Sequence, residues 1–113
     1  MPVTYTINIA VDDHGNFTYS TATQHALRDD SIYWTCGNGP FAVHLGARTP
    51  FHEVVIHGTK AEGTPLAAGK IRSEAERGTY KYAVAVARVD DKGQVLGVHI
   101  DACPELIVET PRP

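Results

Sequence analysis

The chain has 113 residues, a formal charge of −3 and 42% apolar residues, enough for one domain with an ordinary core and too short for two. Only 20% of its residues are charged, with a slightly acidic balance, so it has no basic field to hold nucleic acid or an anionic membrane. No apolar run is long enough to span a bilayer, and the start, Met1-Pro-Val-Thr-Tyr-Thr6, lacks the basic region and apolar block of a secretory signal; a cytoplasmic setting is expected.

Val, Ile and Thr recur in alternating runs separated by Gly, Pro, Asn and Asp, the pattern of short strands and turns. Val3, Tyr5, Ile7 and Ile9 fall on one face of a first strand and Thr4, Thr6, Asn8 and Ala10 on the other. Asp12-Asp13-His14-Gly15-Asn16 supplies a turn, and a second run follows from Phe17 to Thr23, giving an opening hairpin. Gln24 to Asp30 reads as a polar link. Ser31 to Cys36 reads as a strand, closed by Gly37-Asn-Gly-Pro40. Phe41 to Gly46 and Phe51 to His57 are the next strands, split by Ala47-Arg-Thr-Pro50.

Gly58 to Gly69 reads either as a long loop or as a loop with one helical turn around Leu66-Ala67-Ala68. A short strand at Lys70 to Ser73 and a polar turn at Glu74 to Gly78 follow. From Thr79 to Val89, Tyr80, Tyr82, Val84 and Val86 face one way and Ala83, Ala85, Ala87 and Val89 the other. Both faces are apolar, so this strand is expected to lie centrally, between two covered surfaces. Asp90-Asp91-Lys92-Gly93 turns the chain, Gln94 to Ile100 returns antiparallel, and Glu105 to Glu109 forms a last strand after Pro104. Thr110 to Pro113 trails off. Eight or nine short antiparallel or mixed strands imply an all-β Greek-key sandwich, cupredoxin- or immunoglobulin-like, with 1–113 as one domain.

Gly78-Thr-Tyr-Lys-Tyr-Ala-Val84 resembles the penultimate-strand motif of the cupredoxins, where Gly-x-Tyr-x-Phe/Tyr-x-Cys leads into the metal loop. Ile32-Tyr-Trp34, Gly39-Pro-Phe-Ala-Val43, Pro50-Phe51 and Pro104-Glu-Leu-Ile-Val108 are similar to segments of small bacterial cupredoxin-like proteins. In copper-binding members the cysteine falls at Val84, and a His and often a Met follow; here Ala85, Val86, Ala87 and Arg88 follow. A blue-copper site needs a thiolate and two imidazoles. The resemblance therefore implies the scaffold without the copper centre, and no cofactor is expected.

The remaining chemistry lies in six histidines and two cysteines. Cys36, His44, His99 and Cys103 form the best assembled zinc or copper ligand set, though no His or Cys pair has a diagnostic spacing. Cys36 and His44 flank the Gly-Pro turn, and His99, Asp101 and Cys103 alternate onto one side of an extended segment. The bland alternative is exposed histidines and buried, inert cysteines. A Cys36–Cys103 disulfide fits an oxidising compartment only, and free thiols are expected without a signal. A nucleophilic reading takes Cys36 or Cys103, with His44 or His99 as base and Asp101 as orienter, but such triads are recognised by geometry and not by spacing. The carboxylate pairs Asp12-Asp13, Asp29-Asp30 and Asp90-Asp91 read as solvated turn residues. Tyr33, His44 and His52 would make an aromatic and imidazole patch for a protein partner or another subunit if they face outward. The expectation is a non-catalytic binding or assembly module, self-associating through a sheet face or edge.

Overall fold

The computed structural model describes residues 2–59 and 64–109, where every regular element is a β-strand. In chain order these are β1 (Thr4–Val11), β2 (Phe17–Tyr19), β3 (Thr23–Leu27), β4 (Ser31–Cys36), β5 (Phe41–His44) and β6 (Val55–Gly58). They continue as β7 (Leu66–Lys70), β8 (Gly78–Lys81), β9 (Ala83–Val89), β10 (Val95–Asp101) and β11 (Glu105–Glu109). No helix long and apolar enough to cross a membrane occurs among the described residues.

The first layer has the order β2-β1-β4-β7, with β1 parallel to β4. The second is built on one long hairpin. β8 and β9 are consecutive parts of a single outgoing run interrupted at Tyr82, while β10 and β11 return along the same edge. β5 and then β6 extend the layer beside β9, and β3 adds in parallel beside β11. The long hairpin stretches the molecule to 51 × 26 × 23 Å. Thr59 bridges to Leu66 where one edge of the two layers meets.

Both hairpin turns have the same construction, because the sequence Asp-Asp-x-Gly occurs twice. Asp12 Oδ1 accepts from the amides of His14 and Asn16, and Asp90 Oδ1 accepts from those of Lys92 and Gln94. Gly15 and Gly93 then adopt φ of 83° and 81°, a left-handed conformation that a side chain disfavours.

The core follows from alternation. Ile7, Ile9 and Val11 of β1 and Ile32, Trp34 and Cys36 of β4 point inward from the first layer, and Val43, Val84 and Val86 from the second. Trp34 fills the space between layers: its ring meets Phe51 and Tyr82 edge-on at centroid distances of 5.8 and 5.7 Å. Its indole N–H donates to the Tyr82 hydroxyl at 3.2 Å, which satisfies a buried donor. Beside Trp34 and Ile32, β7 carries only Ala67 and Gly69 at the paired positions. A Cβ on Gly69 would lie 2.8 Å from Ile56 and 2.9 Å from Phe51, so the missing side chain is what lets those residues in.

Eleven strands are described instead of eight or nine. The run expected from Phe17 to Thr23 ends as β2 at Tyr19, and Thr23 opens β3, which takes up most of the expected link from Gln24 to Asp30; its Ala26 is buried while its other side chains reach solvent. Leu66 to Lys70 is a strand and not a helical turn, because Trp34 and Tyr33 of β4 pair with Ala67 and Ala68. Of the strand expected at Lys70 to Ser73 only Lys70 is strand, as the last residue of β7; Ile71 to Ser73 lead out of it into a turn. Strands expected from Phe41 to Gly46 and Phe51 to His57 shorten to β5 and β6, with Phe51 buried in the intervening loop. Within the Gly58 to Gly69 reading, residues 60–63 lie outside the described residues, as does the tail 110–113.

Candidate functional site

Val84 and Val86 enter the core, so register sends Ala83, Ala85 and Ala87 of β9 to the outside of the second layer. On β10, Val98 stands opposite Ala87 and Ile100 opposite Ala85, hence on the same outer face. Val95 pairs with Val89 beyond a bulge at Leu96. On the other flank, Ala42 and His44 of β5 pair with Ala85 and Ala83, and His57 and Val55 of β6 follow. None of these positions is Asp, Glu, Lys or Arg. Val95 is 61% exposed, Leu96 54%, Val98 65% and Ile100 72%. The expected cover over this face of the central strand is absent from the described residues, and the alanines are half-buried only by their neighbours.

At one end of this face, His44, Leu45, Gly46, Lys81, Tyr82, Ala83 and Ala102 line a shallow depression of about 320 Å³. On the inner side of the hairpin, the His99 ring lies between two glycines. A Cβ on Gly15 would sit 2.9 Å from its Nδ1, and one on Gly97 3.0 Å from its Nε2. Asp101 points the same way and accepts a hydrogen bond from the Tyr19 hydroxyl at 2.6 Å. Burial, reinforced by that bond and by the negative charge, pushes the Tyr19 phenol far above its ordinary range.

The residues singled out as a metal set are distributed across the fold. Cys36 is buried on the inner face of β4, with its sulfur 3.9 Å from Asn38 Oδ1, while His44 is exposed on the outer face of β5. The chain crosses from one layer to the other between them, so no hairpin brings them face to face. His99 lies on the inner side of β10, and Cys103 is exposed past the strand's end, beside Asp101. Among the described residues no three His, Cys, Asp or Glu side chains are grouped to hold a metal ion.

Both cysteines are free. Burial pushes the Cys36 thiol up, and the neighbouring Asp101 carboxylate pushes the Cys103 thiol up. An activated thiol nucleophile needs the opposite shift. Tyr33 stands on the outer face of the first layer and His44 on that of the second, so the two point away from each other. His52 lies in the β5–β6 loop, next to Lys70 and Asp29. Of the three carboxylate pairs, Asp12 and Asp90 hold turns, but Asp30 is buried and not a solvated turn residue.

Copper does not fit the position where the resemblance would put it. Val84 is wholly buried, faces Val43 across the β5 ladder, and belongs to a strand that runs on to Val89 where a metal loop would begin. A metal site there would need a thiolate and imidazoles that these residues lack.

The residues that sequence reasoning missed are Val95, Val98 and Ile100. Their signal lies in the pairing: the strand beside an alanine-rich, uncharged face shares its environment.

No family profile and no curated protein matches this sequence. Solved structures do. A copper(I) form of an amicyanin mutant is 17% identical with a TM-score of 0.50, covering 92% of this chain and 82% of its own. Two oxidised amicyanin mutants, at 16% and 15% identity, have the same TM-score and coverage. Amicyanin is a cupredoxin, and the fold of this chain is cupredoxin-like.

Proposed function

We propose that the chain is a non-catalytic binding or assembly module on a copper-less cupredoxin-like scaffold, docking to a protein partner through the outer face of β10, β9, β5 and β6. The observation that supports this reading is the uncharged face whose Val95, Val98 and Ile100 stand more than half in water. Isolated exposed apolar residues are ordinary, but neighbouring ones on one face with no charge among them form an interaction patch. The depression at His44 and Ala83 continues that face and offers a recess for an anchoring side chain.

The test is an apolar fluorescent dye, anilinonaphthalene sulfonate, added at high protein dilution. Wild-type protein is expected to bind it, Ile100→Asp to lose it, and Thr6→Asp, on the outer face of the other layer, to keep it. Folded wild-type protein that binds no dye, or an Ile100→Asp variant that binds it equally, overturns the docking face.

A further inference from the structure

Resting on that reading, we infer that the occupant of this face is a second copy of the chain, packed face to face across a two-fold axis that runs along the strands between β9 and β10. The face has two halves of opposite relief. Val98 and Ile100 stand up as a ridge on β10, and beside them Ala87 and Ala85 on β9, with Ala42 on β5, form a trough. The register sets them at equal height: Val98 beside Ala87, Ile100 beside Ala85.

A two-fold rotation about an axis between ridge and trough sets each copy's ridge over the other's trough. Val98 of one copy then meets Ala87 of the other, and Ile100 meets Ala85. A patch with matched relief on either side of one line is complementary to itself, which is the requirement of an isologous interface. Layers packed in this way interdigitate at about 10 Å, as sheets inside a sandwich do.

Charge and area agree. The paired outer positions contribute no like charge to face itself, since Asp90, Asp91 and Lys92 sit at the hairpin tip and Lys81 beyond the start of β9. The exposed side chains of Val95, Leu96, Val98 and Ile100 present on the order of 400 Å² of apolar surface, the size of the largest patch on a typical monomer, which is often functional. Hidden twice, together with the alanines and Val55, this comes to roughly 1,000 to 1,400 Å², which clears the roughly 1,000 Å² a biological interface needs and straddles the lower limit for specific stable ones.

Sedimentation equilibrium under reducing conditions tests the inference. Wild-type protein is expected at twice its 12.2 kDa chain mass in the micromolar range, with dye binding per chain falling as concentration rises. Ile100→Asp is expected to weaken association at least 100-fold. Ala87→Leu, which fills the trough while staying apolar, is expected to weaken it at least 10-fold. Val98→Ala added to Ala87→Leu removes the side chain that the other copy's leucine meets and is expected to recover most of that loss.

A wild-type chain that stays monomeric at high concentration overturns the second copy. Dye binding sensitive to Ile100→Asp then leaves the docking face standing for a different partner, and its absence removes both. A dimer that persists in folded Ile100→Asp, or an Ala87→Leu loss that Val98→Ala does not relieve, overturns this packing.

Discussion

The Tyr19 hydroxyl donates to Asp101 Oδ2 at 2.6 Å and so joins β2 of the first layer to β10 of the second. The two residues are far apart in sequence, and each ends a short run of inward-pointing side chains. A charge-assisted bond of this kind stabilises by about 1.5 to 3 kcal/mol. Tyr19→Phe keeps the ring against Phe17 and removes only the bond. It is expected to cost about that amount in a urea melt and to speed amide exchange in β10.

The same contact makes stability fall in alkali. The folded-state pKa of Tyr19 is raised, first by burial and then by Asp101. Its contribution is therefore complete below the unfolded value of 10.0 and declines as pH rises above it, because the unfolded phenol ionises first. Wild-type stability should drop more steeply above pH 10 than that of Tyr19→Phe. Equal slopes would mean that the phenol is not held by Asp101.

Asp12 works at the opposite end of the pH scale. The amides of Asn16 and His14, with the Asn16 side chain, hold its carboxyl below its ordinary value, the Asn16 amide contributing most. Stability from a depressed carboxyl is present above the ordinary value of 3.8 and lost as pH falls through the lower folded one. The Asp12 to Asn16 amides should exchange faster below that range, and Asp12→Ala should abolish the pH dependence.

Asp30 is 2% exposed, and its two oxygens accept from the amides of Val3 and Leu27, each at 2.8 Å. It thereby fixes the entry to β1 and the end of β3 against the same corner. Asp30→Ala leaves both donors without this partner and should cost about 2 to 3 kcal/mol. Asp30→Asn, which keeps one acceptor and turns an amide N–H₂ toward the other donor, should cost nearly as much. A silent Asp30→Ala in thermal unfolding would remove the corner's role.

Strands with one buried face were legible in sequence because alternation is local. Tyr5, Ile7 and Ile9 declare an inner face without knowing their partners, and both Asp-Asp-x-Gly turns declare hairpins. β3 was not legible, since only Ala26 of its five residues is buried and its support comes from a parallel partner at the far end of the chain, Glu105–Glu109. β7 was not legible either. Its inward residues are Ala67 and Gly69, small because Phe51, Ile56 and Trp34 occupy the space above them.

The candidate face was half legible. Alanine at 83, 85 and 87 marks that side of β9 as apolar, and the sequence pattern leads to the expectation of a covered surface there. Register shows instead a ridge on β10 beside the alanines and open water above them. Pairings such as Cys36 with His44 failed as geometry because residue spacing does not reveal that the chain changes layers at Gly37-Asn-Gly-Pro40.

Position 84 separates scaffold from metal chemistry. Val84 is wholly buried between Val43 on β5 and the start of the β9–β10 ladder. Val84→Asp strands a carboxylate among apolar side chains and should cost more than about 3 kcal/mol, a large share of the roughly 5 to 15 kcal/mol a domain possesses. Lys81→Asp, on an exposed side chain of the same run, should change stability by less than about 0.5 kcal/mol. Val84→Cys is a near-isosteric exchange and should be tolerated within about 1.5 kcal/mol. Added Cu(II) should give that variant no intense thiolate-to-copper absorption, because the neighbouring Val43, Ala85 and Val86 supply no imidazole to complete a site. A blue Val84→Cys protein would show that a ligand set survives in this scaffold, and a stable Val84→Asp protein would overturn the register of β9.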